Sequence, residues 1–289
     1  MADTTAIEWC DSTFNPWIGC TRVSPACDDC YAARSTPART LGVAWGPSET
    51  RRRTGDANWK QPELWQRQAG NFQAEHGRRR RVFCASLADW LDNEVPISWL
   101  VDLLDLVRTT PDLDWLLLSK RIGNWASRIS EAIGYLDELE DCNGLPLRRW
   151  LCYWLDADEA PRNAWIGSTV VNQPEVNRDF PKLQRVPAAV RFLSVEPMLG
   201  PIETSNGSRR SDGVASLGRP ALEGLHWVIC GGESGPKARP MHPDWARSLR
   251  DQCAVADVAF FMKQMGGNRD KRGALDDLPV DLRVRSFPQ

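Results

Sequence analysis

The chain has 289 residues, 42% of them hydrophobic, which allows a large core and excludes a mainly disordered protein. The formal net charge is only −2, but the charges are segregated along the chain. Residues 31–81 contain eleven Arg or Lys against four acids, whereas 89–159 contain fifteen acids against six bases. A basic surface patch is therefore expected from the first of these segments.

The cysteine content indicates metal binding rather than a disulfide framework. Nine cysteines is an odd number, and the chain is long for a disulfide-stabilised domain. The N-terminus lacks the basic and apolar regions of an export signal, and no apolar run approaches the roughly 20 residues of a membrane helix. We expect a reduced cytoplasmic protein, without a membrane partner, whose clustered cysteines bind metal.

The first third of the chain is irregular and basic. Residues 7–10 predict a short first strand, which a proline-containing loop then ends. Residues 34–81 form a basic insertion, helical in pieces, in which tryptophans alternate with Arg runs at 51–53 and 78–81. Guanidinium groups interleaved with aromatic rings suit a phosphate backbone and an unstacked base. A solvated helical face is the alternative interpretation.

From residue 81 onward, short apolar runs alternate with helical segments. The predicted strands cover 81–86, 114–118, 164–167, 189–193, 226–230 and 258–262, and the predicted helices cover 97–108, 123–139 and 243–253. Ser98 is the expected N-cap of the first helix, and an acidic loop is expected after the second. Residues 204–224, rich in Ser, Gly and Arg, predict a flexible surface loop.

Polar or ionisable residues follow each predicted strand. They are Ser86, Asp89, Lys120, Ser168, Asn172, Glu196, Glu233 and Lys263. Parallel strands joined by crossover helices place all their carboxyl ends on one edge, where a β/α barrel carries its site. We therefore predict an α/β fold, a complete or partial β/α barrel of parallel strands in a single domain over 1–289. A doubly wound open sheet is the alternative.

Three cysteines, Cys20, Cys27 and Cys30, fall within eleven residues in the pattern C-x6-C-x2-C. A zinc site is one possibility, if Cys10 or a histidine supplies a fourth ligand. A 4Fe–4S cluster held by three cysteines is the other, and it leaves one iron open to a substrate or cofactor. The position of the loop, ahead of a predicted β/α barrel, favours the cluster.

The whole chain resembles the phage-borne three-cysteine family related to radical S-adenosylmethionine enzymes. The matching stretches are 15–32, 83–96, 117–120, 165–172, 190–200, 227–240 and 261–267. The first cysteine gap departs from the superfamily, in which three residues separate the first two cysteines where six do here. The resemblance implies a radical-SAM-like barrel with a 4Fe–4S cluster on Cys20, Cys27 and Cys30. It also implies S-adenosylmethionine as cofactor, an electron donor, and an adenosyl radical that abstracts a substrate hydrogen.

The resemblance also suggests residues for the cofactor. In the superfamily a Gly-Gly-Glu at a strand end holds the methionyl ammonium, here Gly231, Gly232 and Glu233. Ser86 and Asp89, on the strand after the cysteine loop, are the alternative ligands of that group. Ser168 and Asn172 are placed for ribose contacts. Glu196 is expected to contact either the ribose or the substrate, and no catalytic residue is assigned.

The family's phage origin points to nucleic-acid base modification in the host cytoplasm. The most specific expectation is isomerisation of an amino-acid-modified thymidine in phage DNA, a step of thymidine hypermodification that protects the genome from restriction. A radical enzyme of DNA-lesion repair or methyl transfer is one alternative. A non-enzymatic, zinc-stabilised nucleic-acid-binding protein is the other.

Overall fold

Both compact units of this computed structural model contain parallel strands and helices. The residues described are 5–139, 144–156, 160–204, 222–268 and 271–289. Unit 1 comprises Met1–Ser168 and Arg185–Ala189, and unit 2 comprises Thr169–Gln184 and Val190–Gln289.

Four parallel strands form the sheet of unit 1. They are β1 (Ser12–Thr13), β4 (Arg80–Cys84), β5 (Leu113–Ser119) and β6 (Ala164–Thr169), and β2 (Trp17–Ile18) pairs separately and antiparallel with β3 (Arg52–Arg53). The sheet order is β1-β4-β5-β6, so that Val82 lies between Ser12 and Trp115. The central strands are almost wholly buried, as expected of parallel strands covered on both faces.

The helices of unit 1 differ in length and burial. They are α1 (Thr36–Thr40), α2 (Asp56–Trp59), α3 (Gln61–Arg67), α4 (Ala69–His76), α5 (Ile97–Thr109), α6 (Trp125–Glu138) and α7 (Leu145–Leu155). In α5, Leu100, Leu103, Leu104 and Val107 recur at helical spacing and are fully buried. The longer helices are thus held mainly by an apolar face.

Three parallel strands form the sheet of unit 2. Its elements are α8 (Gln173–Gln184), β7 (Val190–Val195), β8 (Trp227–Gly231), α9 (Pro243–Val255) and β9 (Ala259–Gln264). The strand order is β7-β8-β9, with Trp227 of β8 opposite Phe192 and Ala259. The register of β8 against β9 shifts between Cys230 and Gly231, where the strand leads into its terminal loop.

The predicted α/β fold with parallel strands is confirmed, and its organisation is compatible with a partial β/α barrel. The six predicted apolar strands correspond to β4 through β9. The predicted first strand is wrong: residues 7–10 form a turn, in which the N–H of Cys10 donates to the carbonyl of Ile7 at 3.3 Å. Pairing with β4 begins only afterwards, at Asp11, whose N–H donates to the carbonyl of Arg81 at 3.0 Å.

Two local predictions about helices were also wrong. Pro96, not Ser98, occupies the N-cap of α5, since the proline ends the preceding extended segment. The loop expected after α6 contains α7, where Leu147, Leu151 and Trp154 are buried at a spacing of four and three residues. The acidic residues nearby therefore made the regular apolar stripe of α7 hard to recognise in the sequence.

Of the predicted flexible loop 204–224, residues 205–221 lie outside the described residues. The single-domain assignment stays a prediction beside the division into two units. Among the described residues, no helix is both long and apolar enough to cross a bilayer.

Candidate metal and cofactor site

The three cysteines share one loop of unit 1, between β2 and α1. Within it, Ser24 begins a 3-10 turn over Pro25–Cys27, and its side-chain oxygen accepts a hydrogen bond from the N–H of Ala26 at 3.1 Å. Cys27 ends this turn, and Cys30 follows three residues later. All three thiols are free and partly exposed.

The sulfur donors of this loop suit a group that prefers soft ligands. In the part of the chain that is described, no three or more His, Cys, Asp or Glu side chains form a group able to hold a metal ion. A 4Fe–4S cluster requires a different arrangement of ligands. Each cysteine binds its own iron atom, so the sulfur atoms lie further apart than the ligands of a single metal ion. Cys10, considered as a fourth zinc ligand, is buried, and its thiol donates to the carbonyl of Ile7 at 3.9 Å.

Arg121, just beyond the end of β5, reaches the first cysteine. Its Nη1 donates to Sγ of Cys20 at 3.2 Å, and its Nη2 donates to the carbonyl oxygen of Thr21 at 2.6 Å. Burial, with the charge of Asp89, raises the pKa of the Cys20 thiol to about 12 against the opposing effect of Arg121. The thiol is therefore neutral near pH 7 in the absence of a metal ion.

Asp89 fixes the position of Arg121. Its Oδ1 accepts from the N–H of Leu91 at 3.0 Å and from the hydroxyl of Ser119 at 2.7 Å. Its Oδ2 accepts from the N–H of Lys120 at 2.9 Å and from Nη1 of Arg121 at 3.1 Å. Although burial opposes it, the charge of Asp89 raises the pKa of Arg121, so the guanidinium stays charged.

The predicted role of Asp89 as a ligand of the cofactor ammonium stays a prediction, and the structure shows the contacts that its carboxylate already makes. Both carboxylate oxygens are already saturated by these four donors. Contact with the ammonium group of a cofactor requires one of those bonds to break. The role of Asp89 that the geometry favours is to hold Arg121 against the cysteine loop.

A second buried arginine anchors the same loop from another side. Arg51 donates through Nη2 to the hydroxyl oxygen of Thr21 at 2.6 Å and through Nε to Asp92 at 2.9 Å. Its Nη1 donates to the carbonyl oxygens of Gly46 and Glu49 at 3.1 and 2.8 Å. The residue after Cys20 is thus held on its side chain by one arginine and on its backbone by another.

Ser86 takes part in anchoring the far end of the cysteine loop. The Tyr31 hydroxyl, next to Cys30, donates to the carbonyl oxygen of Ser86 at 2.8 Å. The side chain of Ser86 accepts from the amide of Asn15 at 2.9 Å. The predicted role of Ser86 in cofactor binding stays a prediction.

Ser168, the last residue but one of β6, differs from the other predicted ligands in unit 1. It lies opposite Ser119 in the parallel register and is fully buried. Its hydroxyl oxygen has no hydrogen-bond partner among the described residues. An unpaired buried hydroxyl retains capacity for a ligand, because leaving it unsatisfied is unfavourable.

In unit 2, Gly232 of the predicted Gly-Gly-Glu site allows two backbone segments to approach closely. A Cβ on Gly232 would lie 2.1 Å from the carbonyl oxygen of Met265, and one on Gly266 would lie 2.3 Å from that of Glu233. The terminal loops of β8 and β9 thus approach each other more closely than any side chain permits. Beside them, a Cβ on Gly231 would lie 3.6 Å from the Glu196 carboxyl carbon.

The carboxylates of unit 2 are also engaged. Glu233 accepts from the Arg239 side chain at 2.8 and 2.7 Å and from its N–H at 2.9 Å. Glu196 forms an ion pair with Lys263. Asn172 caps α8, with its Oδ1 accepting from the N–H of Glu175 at 3.0 Å. Cofactor contacts of these residues stay predictions.

Most of the arginines in the basic insertion are used by the fold. Ion pairs join Arg51 to Asp92, Arg53 to Asp102, Arg78 to Asp11 and Arg79 to Asp114. Arg53 also stacks over Trp59 at 3.9 Å, and Arg80 over Phe72 at 4.3 Å. Among the described residues of this segment, the exposed cations without an ion pair are Arg39, Arg52, Lys60 and Arg67.

Sequence reasoning identified the cysteines but missed the two arginines that contact their loop. Arg51 lies in one of the Arg runs that predict a contact with phosphate or solvent, and Arg121 directly follows Lys120 after β5. Isolated carboxylates following β4, Asp89 and Asp92, are the signal that could have indicated buried partners.

Comparisons with known proteins give one result. The model of a family described as "Protein of unknown function (DUF5131)" matches residues 4–279. A search of the curated proteins gives no match, and neither does a search of the solved structures.

Proposed function

We propose that the chain, which belongs to the DUF5131 family, is a radical S-adenosylmethionine enzyme that modifies a nucleic-acid base. The description of the family gives no function, so the proposal is argued from the residues of this chain. The observation that carries the proposal is the loop of three free thiols, Cys20, Cys27 and Cys30, of which the first accepts a hydrogen bond from a buried arginine. Three cysteines close together in the sequence can each bind one iron of a 4Fe–4S cluster, which leaves the fourth iron open.

Cys20, Cys27 and Cys30 would hold the 4Fe–4S cluster. When bound, the cluster supplies an electron to S-adenosylmethionine and so begins radical chemistry, which calls for an external electron donor. Arg121 and Arg51 hold the loop in place around Thr21. These charged hydrogen bonds keep the first ligand oriented before the cofactor arrives.

Ser168 is the candidate cofactor ligand in unit 1 with an unused polar group. Its buried hydroxyl can donate to or accept from a ribose or carboxylate without displacing a protein partner. Glu196, Asn172, Gly231, Gly232 and Glu233 are proposed from the resemblance alone.

The proposed substrate is an amino-acid-modified thymidine in phage DNA, and the proposed reaction is its isomerisation during hypermodification. The resemblance supports this choice, and the exposed cations Arg39, Arg52, Lys60 and Arg67 support contact with a phosphate backbone. A base in duplex DNA must be flipped out of the stack before an enzyme can act on its atoms. The modification would protect the genome from restriction.

The test is anaerobic reconstitution with iron and sulfide, followed by incubation with S-adenosylmethionine, a reductant and modified DNA. Nucleosides are then analysed by chromatography and mass spectrometry. Unchanged mass with a shifted retention time indicates an isomerase. A changed mass indicates lesion repair or methyl transfer instead, and a colourless protein with stoichiometric zinc contradicts the radical proposal.

A further inference from the structure

The three cysteines differ in their contacts with Arg121. Its guanidinium donates to the sulfur of Cys20 at 3.2 Å. Within the described residues, the sulfur atoms of Cys27 and Cys30 receive no hydrogen bond from a side chain. One ligand of the proposed cluster is therefore in contact with a positive charge, and the other two are not.

This contact is fixed by the fold. The Arg121 side chain is 7% exposed, and the Asp89 side chain with which it pairs is 6% exposed. Asp89 is itself held by Ser119 and by the N–H of Lys120, at the end of β5. The guanidinium therefore cannot swing into solvent without breaking several buried bonds.

We propose that Arg121 is a positioning residue that raises the reduction potential of the cluster through Cys20, and that Asp89 acts in the opposite direction. The inference rests on the proposed function. A charged donor draws electron density from a ligand sulfur and stabilises the more negative, reduced cluster. A buried carboxylate nearby favours the oxidised cluster by the same electrostatic rule.

The experiment is a potentiometric titration of the reconstituted protein, followed by the electron paramagnetic resonance signal of the reduced cluster. Arg121→Gln removes the positive charge, and the potential should become more negative. Asp89→Asn removes the negative charge, and the potential should become more positive. Each shift is expected to reach about tenfold in the one-electron equilibrium, which is about 59 mV.

Two further variants separate charge from structure. Arg121→Lys keeps the positive charge and should restore at least half of the shift caused by Arg121→Gln. Arg128→Gln is the matched control, because Arg128 is also buried in unit 1, at 4% side-chain exposure, and binds the carbonyl of Val95 instead of a cysteine. Its potential should equal that of the wild type.

Shifts of the reduction potential in opposite directions in Arg121→Gln and Asp89→Asn support the inference. A general loosening of the loop would instead shift the potentials of both variants in the same direction. Equal potentials in these variants and the wild type overturn it while leaving the proposed function intact. A wild-type protein that takes up no iron overturns both. If Arg121→Gln does not hold iron, Arg121→Lys and Asp89→Asn are titrated instead. A more positive potential in Asp89→Asn, with a potential near that of the wild type in Arg121→Lys, supports the inference. An unchanged potential in Asp89→Asn overturns it.

Discussion

Arg51 donates through Nε to Oδ2 of Asp92 at 2.9 Å, and both side chains are completely buried. Asp92 belongs to the loop after β4, and Arg51 immediately precedes β3. Since Arg51 also binds Thr21, this pair links the cysteine loop to the strand end on which the site is built.

We predict that Arg51→Gln lowers the free energy of unfolding by about 3–5 kcal/mol, because it leaves the Asp92 carboxylate buried without its cation. The measurement is urea denaturation of the iron-free protein. Arg52→Gln is the control, since its side chain is exposed, and a change within about 0.5 kcal/mol is expected there. Equal effects from the two variants would contradict the importance of the buried pair.

Asp114, at the amino end of β5, should make stability depend on pH. Burial raises its pKa from 3.8 to about 6, against the opposing charges of Arg79 and Arg81. The folded state then holds this proton more tightly than the unfolded state. The contribution of Asp114 to stability is therefore present below pH 4 and is lost as the pH rises through 6.

Asp114→Asn should therefore raise the free energy of unfolding at pH 7.5 by about 1–3 kcal/mol. It should also flatten the difference in stability between pH 4 and 6. Denaturation curves across this range test both points, with Asp112→Asn, an exposed neighbour, as control. A variant less stable than the wild type at pH 7.5 would show that the ion pair with Arg79 outweighs burial.

Removing one cysteine should prevent binding of the proposed cluster. For Cys27→Ala we expect loss of visible absorbance, of iron and of turnover together, because a cluster with two protein ligands is not retained. Cys152→Ala is the control: Cys152 is a partly exposed free cysteine of α7, and iron content should be unchanged. Full activity of Cys27→Ala would reject the assignment of the site.

Gly232→Ala should destabilise unit 2, because its Cβ would collide with the carbonyl oxygen of Met265 at 2.1 Å. Neither strand-end loop can yield without shifting backbone, and we expect a loss of about 3 kcal/mol. Gly134→Ala in α6 is the control with the opposite sign. Nothing lies within 4 Å of a Cβ there, and alanine should stabilise the helix by about 0.5–1 kcal/mol.

The exposed cations of the basic insertion should carry DNA affinity. Replacing Arg39, Arg52 and Arg67 by alanine should weaken binding to an oligonucleotide and reduce the slope of log K against log salt by up to about 3. Fluorescence anisotropy at several salt concentrations gives both quantities. Arg149→Ala, an exposed arginine of α7, is the control and should leave the slope unchanged. An unchanged slope in the triple variant would exclude this surface as the DNA contact.

The sequence was informative wherever a property depends on neighbouring residues. Runs of buried apolar residues identified β4 through β9, because a strand covered on both faces must be apolar along its length. The sequence was misleading for residues 7–10, whose composition suits a strand but whose backbone forms a turn. It also could not separate the arginines that the fold buries from those left on the surface.

What the sequence by itself determined is the set of three closely spaced thiols and the parallel order of strands and helices, since both follow from spacing and apolar periodicity along the chain. Only the tertiary structure decided that Arg121 contacts Cys20 across 101 residues and that Asp89 is saturated by donors from the end of β5. Hydrogen bonds between residues far apart in the sequence depend on which strand ends lie close together in the fold. The spacing of residues along the chain does not give the distance between two strand ends.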